Sequence, residues 1–95
     1  MAAYLIARVQ VTNPEAYETY KELAADAIAK YDGRYLGRGG PTVTLEGPEE
    51  TARVVIVAFP TLERAREFYD SPEYREAKAA RAGAATGQFV LVDGL

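Results

Sequence analysis

The sequence predicts an α+β sandwich, a four-stranded antiparallel sheet with two helices on one face. Three observations carry this prediction. Extended apolar segments open the chain, occupy its middle and close it, at residues 3–11, 52–59 and 88–92. Helical patterns carrying the cap signals Asn13-Pro14-Glu15 and Ser71-Pro72-Glu73 lie between them. The middle segment is apolar on both of its faces, as a central strand is.

Each element follows from local chemistry. Ala3 to Val11 is apolar apart from Arg8 and Gln10 and reads as a largely buried strand. Asn13 is placed to cap a helix, with Pro14 at its first position and Glu15 on the positive end of its dipole. Tyr17, Tyr20, Ala24, Ala27, Ile28 and Tyr31 recur at spacings that keep one apolar stripe. Asp26 and Lys30 stand four apart, a favourable pair on the solvent side. Asp32-Gly33 ends the helix, with Gly33 expected in the left-handed conformation.

Arg34 to Arg38 reads as a short strand, interrupted by Gly39-Gly40-Pro41 and resumed over Thr42 to Glu46. Glycines followed by proline in a strand indicate a bulge or bend there. Gly47-Pro48-Glu49-Glu50 is a turn, and Ala52 to Phe59 is the strongest strand in the chain. Leu62 to Tyr69 forms a helix with Leu62, Ala65, Phe68 and Tyr69 on one stripe. Ser71 and Pro72 re-cap it, and it resumes to about Ala82, with Lys78 and Arg81 at the negative end. Gly83 to Gly87 is a small-residue loop, and Gln88 to Val92 the final strand.

The order is strand, helix, strand, strand, helix, strand. With right-handed crossovers, this closes as a ferredoxin-like βαββαβ sandwich, a single domain over residues 1–95. Two helices cover one sheet face only. Val54, Ile56 and Ala58 alternate with Val55, Val57 and Phe59, so the uncovered face is apolar too. Only Arg8 and Gln10 give it the polar character of a solvated face. A monomer rarely tolerates such a patch, and pairing of two sheets about a twofold axis removes it. A homodimer through the sheet faces is therefore expected.

Composition narrows the chemistry more than any motif does. The 95 residues include no cysteine, no histidine and no tryptophan, and one serine, Ser71. Disulfides, thiolate nucleophiles, histidine-ligated zinc and Ser-His-Asp hydrolysis are excluded. Acid–base work falls to Asp, Glu, Lys or Tyr. The net charge of −3 and a pI near 4.9 make nucleic acid an unsuited partner. No stretch has the 18 or so apolar residues of a membrane span. Without a basic, apolar leader at Met1-Ala2-Ala3-Tyr4, a cytoplasmic location is expected. No cofactor or metal is predicted.

Among candidate functional residues, Arg38 lies beside glycines, where its planar fork is free to meet a carboxylate, that of Glu46 or of a ligand. An internal Arg38–Glu46 ion pair is the simpler expectation. Gly37-Arg38-Gly39-Gly40 is not followed by a helical pattern, so it is a strand irregularity and not a phosphate loop. The seven tyrosines exceed what so small a core needs, and hydroxyls converging near Arg38 would form a polar-tipped pocket. Ser71 precedes a proline in a cap and has no base to activate it. Glu46 and Asp93, near strand ends, are candidates for an acid–base pair, although strand-end solvation explains both.

The segments NPEAYETY, GRYLGRGG, LEG, RVVIVAFPTLERAREFYDSPEY and FVLVDG resemble the family called domain of unknown function 1330, from about Ala3 to Gly94. The resemblance implies membership of the dimeric α/β-barrel superfamily and leaves activity open. It points to Tyr20, Arg38, Glu46, Ser71, Tyr74 and Arg81 as ligand-binding positions. The chain departs from the family pattern at Asp32, at Phe68 where a tryptophan is frequent, and at Ala58 where a Glu is common. The missing carboxylate weakens any acid–base role carried over from relatives. The expected function is binding of a small anionic or aromatic ligand in the cleft between helices and sheet. The alternative is a cofactor-independent monooxygenase, isomerase or cyclase using the same cleft.

Overall fold

A computed structural model describes residues 1–95. Strand β1 spans Ala3–Val11, helix α1 Pro14–Lys30, β2 Arg34–Arg38 and β3 Arg53–Phe59; α2 follows at Leu62–Tyr69, α3 at Pro72–Arg81 and β4 at Ala85–Asp93. The sheet order is β2-β3-β1-β4, antiparallel throughout, as the ferredoxin-like arrangement requires. Every predicted helix start is capped. Asn13 accepts from the Ala16 amide, Thr61 from Arg64 and Ser71 from Tyr74.

The helices cover one sheet face. Ala3, Leu5, Ala7 and Val9 of β1 are buried beneath them, while the alternate residues Tyr4, Ile6, Arg8 and Gln10 are not. The core joins those residues to Tyr17, Tyr20 and Ile28 of α1 and to Phe68 and Tyr74 beyond. Phe68 packs 5.1 Å from Phe59 and 4.6 Å from Tyr74, ring centre to ring centre. Fully burying one such ring contributes about 1.5–3 kcal/mol.

The other face carries Ile6 directly opposite Ile56 and Val90, and Tyr4 opposite Ala58 and Val92. Val90 and Val92 remain 45% and 46% exposed. The apolar uncovered face read from the sequence is therefore present. Its polar corner is occupied by Arg8, which donates from Nε and Nη2 to the two carboxylate oxygens of Glu50 at 2.8 and 2.6 Å. This fork ties down the long β2–β3 connection, and Gln10 donating to Thr51 reinforces it.

Five local expectations are corrected. Thr42 to Glu46 is not a strand. Both sides of β3 are taken by β2 and β1, the segment pairs with neither edge strand, and Val43 and Leu45 are 81% and 89% exposed, with no burial to favour an extended pairing. The bulge falls at Leu36, between the pairs Tyr35–Val57 and Gly37–Ile56, one turn of chain before the glycine pair. Asp32, not Gly33, adopts positive φ, at 68°, a conformation Asp tolerates better than most residues. Gly33 is required for space: a Cβ there would lie 2.7 Å from Ile28 and from Phe59. Lys30 pairs with Glu73 of α3 at 2.5 Å instead of with Asp26. Finally β4 starts at Ala85, so the small-residue loop is shorter than the sequence suggests.

Candidate functional site

Between α1, α3 and the sheet lies a narrow cavity. It holds about 450 Å³ counted out to the open surface and is tightly constricted inside. Aliphatic residues of β1 and β3 make the floor, and Tyr17, Tyr20, Tyr35 and Tyr74 contribute aromatic walls. Three cations line it, Lys21, Arg38 and Arg53, and no carboxylate does.

The β2–β3 register brings two of those cations together. Arg38 stands opposite Val55, and Arg53 lies two residues along on the same, helix-facing side, opposite Val9. They are diagonal neighbours, within reach of one anionic group. Neither guanidinium pairs with a carboxylate. Arg38 stacks over Tyr35 at 4.3 Å and Arg53 lies 5.9 Å from the Tyr17 ring. Arg53 Nε is buried without any hydrogen-bond partner, a costly state for a charged group.

Gly39 is what allows this placement. It has φ of +74°, and a Cβ there would fall 2.2 Å from Arg53 Nη1. Its amide donates to the Val54 carbonyl at 2.9 Å. The glycine thus lets backbone and guanidinium occupy adjoining space.

Two of the lining tyrosines are joined: the Tyr20 and Tyr74 hydroxyls lie 2.8 Å apart, and Arg81 Nη1, outside the lining, donates to the Tyr74 oxygen at 3.2 Å. Arg81 itself is packed against the rings of Phe89, at 4.3 Å, and Tyr20, at 5.3 Å. Burial, then the neighbouring Tyr74, pushes the Tyr20 hydroxyl well up, so it stays protonated. Burial likewise raises Tyr74, although Tyr20 and Arg81 oppose the shift. Tyr35 is also raised by burial, against the pull of Arg38 and Arg53.

The sequence-derived candidates therefore separate. Tyr20, Arg38 and Tyr74 line the cavity, and Arg81 holds two of its walls from behind. Ser71 is buried in the α3 cap, donating to the Phe68 carbonyl and accepting from the Tyr74 amide, so it positions Tyr74. Glu46 is exposed on the β2–β3 connection, forms no pair with Arg38 and lies outside the cavity lining. The expected Arg38–Glu46 bridge is absent because its two ends lie on different parts of the fold. Arg53 and Tyr35 were not singled out by sequence, whereas Tyr17 was read as part of the apolar stripe of α1. Arg53 was detectable: it shares the inward parity of Val55, Val57 and Phe59 at the head of the most apolar strand.

The model of the family named Domain of unknown function (DUF1330) matches residues 2–95. The chain belongs to the DUF1330 family. Among solved structures, the chain resembles the RPA0582 protein of unknown function from Rhodopseudomonas palustris. That match has a TM-score of 0.78 and 22% identity, covering 99% of this chain and 82% of that one. SnoaB, a cofactor-independent oxygenase from Streptomyces nogalater, superposes with a TM-score of 0.71 and 17% identity over 99% and 93% of the two chains. A dimeric ferredoxin-like protein of unknown function from Jannaschia sp. CCS1 matches with a TM-score of 0.68 and 13% identity, over 99% and 100%. At these identities the likeness shows the fold. No curated protein matches the DUF1330 chain. No helix is long and apolar enough to cross a membrane.

Proposed function

We propose that this DUF1330 protein is a homodimer that binds a small aromatic anion in the cavity, the anionic group meeting Arg38 and Arg53. One observation carries the reading: an aromatic, apolar cavity is lined by three cations and by no carboxylate. An arginine needed merely for solubility would stand in water or be paired. Here Arg53 has a buried, unpartnered Nε at the cavity. Arg38, by contrast, is exposed, free of ion pairs and stacked over Tyr35, which leaves its guanidinium available to an anion at the cavity. Self-association is supported by the apolar outer face, with Ile6 against Ile56, and by dimeric neighbours of the same fold.

The second reading, a cofactor-independent oxygenase, is supported by the fold shared with SnoaB. It has less support from the residues. Burial keeps Tyr20 protonated, so its phenol is a hydrogen-bond donor and not a base at neutral pH.

The test is an amide-shift titration with benzoate and with benzamide, its neutral counterpart. Benzoate is expected to shift residues around Arg38, Arg53 and Tyr17 and to saturate at least tenfold earlier than benzamide, as a charge-assisted contact requires. Equal binding of the two would overturn the anion, and no shift with either would overturn the site.

A further inference from the structure

The long β2–β3 connection carries two highly exposed apolar side chains, Val43 at 81% and Leu45 at 89%. It is nevertheless tied down. Thr44, between them, accepts from the Glu50 amide at 2.9 Å and closes the segment on itself. Glu50 is gripped by the fork of Arg8, and Thr51 accepts from Gln10. Arg8 and Gln10 share the parity of Tyr4 and Ile6, so these bonds lay the end of the connection against the outer sheet face. An apolar pair is thus held at the border of an apolar face, a patch that a monomer rarely tolerates.

Shape, surface and charge identify what covers it. The chain is a slab, 33 × 32 Å across and 16 Å thick. Two slabs stacked through their outer faces make a body about as deep as it is wide. The chain exposes 6052 Å², whereas a folded monomer of 10.4 kDa exposes about 5400 Å². The excess of about 650 Å² approaches the roughly 800 Å² that each partner buries in a standard interface. Among the outward residues of β1, β3 and β4, Arg8 alone is charged, and Glu50 of the same chain already matches it. A face without net charge meets its own copy without repulsion.

We infer that the β2–β3 connection is a dimerisation arm, Val43 and Leu45 of each chain packing on the outer sheet face of the second copy. This rests on the homodimer reading and adds to it the segment that grips the partner. Twofold symmetry places the arm in the interface twice, so a substitution in it is felt twice.

Sedimentation of wild type, Leu45→Asp and Leu62→Asp over a range of concentrations tests this. Leu62, 36% exposed at the start of α2 in the helix layer, is the control. Leu45→Asp is expected to weaken self-association about a hundredfold, and Leu62→Asp to leave it unchanged. The chain has no cysteine, so an introduced thiol reports on one position. Leu45→Cys is expected to react with a thiol reagent about tenfold more slowly in the dimer than in the diluted monomer, and Leu62→Cys equally in both. If Leu45→Asp dimerises as wild type does, or the thiol at position 45 reacts at one rate throughout, the arm is overturned while the dimer stands. A wild type that remains one chain at every concentration overturns the arm and the dimer together. Leu45 is exposed within its own chain, so neither substitution there disturbs the core.

Discussion

Arg53 and Gly39 share one small volume: the guanidinium of the first occupies the place where a side chain on the second would begin. A Cβ built at Gly39 would stand 2.2 Å from Arg53 Nη1, and the glycine has φ of +74°. Gly39→Ala therefore strains the backbone and displaces Arg53 together. The expected cost is about 1–2 kcal/mol of stability from the left-handed conformation, with weakened benzoate binding besides. Gly40→Ala, with open space around the position, is the control and should leave both unchanged. Urea unfolding and a benzoate titration of the two variants check this.

The Tyr20–Tyr74 pair gives a second prediction. Tyr74→Phe removes the bond shared with Tyr20 and the bond from Arg81, whereas Tyr20→Phe removes one bond only. Each net bond is worth about 0.5–1.5 kcal/mol, and the rings remain packed. Tyr74→Phe should thus be the more destabilising of the two in chemical denaturation. Equal losses would mean that Arg81 contributes nothing to holding the pair.

A third concerns acid. Glu73 accepts from Lys30 at 2.5 Å and from Tyr31 at 2.9 Å. The Lys30 bond above all, with a backbone bond and Tyr31, lowers its carboxyl to about 2 from the ordinary 4.5. A carboxylate lowered in the folded state contributes fully above its unfolded value and is lost as pH falls through its folded value. Its contribution should disappear between about pH 4.5 and pH 2. Stability measured from pH 7 down to pH 2 should fall more steeply in the wild type than in Glu73→Gln. Parallel profiles would show that this exposed cluster is screened to insignificance.

The uncovered sheet face yields a fourth. Ile56 faces Ile6 at its centre. Ile56→Arg places a charge where two sheets would stack, and native mass spectrometry should then show a single 10.4 kDa chain in place of a pair. A wild type that already runs as one chain would contradict the dimer.

What the sequence disclosed and what it hid divide along a physical line. Elements set by periodicity and capping, such as Pro14–Lys30 behind Asn13 and Pro72–Arg81 behind Ser71, are local properties and were legible. Thr42 to Glu46 alternates like a strand, but a strand also needs an edge to pair with, which only the assembled sheet decides. Lys30 has Asp26 one turn away in sequence, yet Glu73 reaches it across the helix pair. The same distinction explains the site. Tyr20, Tyr74 and Arg38 were visible as excess polar-tipped aromatics and a cation among glycines. The inward parity of Arg53 is readable from β3, but its place beside Arg38 depends on the β2–β3 register and on Gly39. Glu46 was grouped with Arg38 by proximity in sequence, which the bulged strand and the long connection undo.

Anion binding at Arg38 and Arg53 is tested most directly by calorimetric titration of benzoate into wild type, Arg38→Gln and Arg53→Gln. Charge-assisted contacts are worth about 1.5–3 kcal/mol each, so either variant should lose about tenfold or more in affinity. The larger loss is expected for Arg53→Gln, whose guanidinium is fixed at the cavity beside Gly39. Benzoate binding that is unchanged in both variants would contradict anion binding at these two residues.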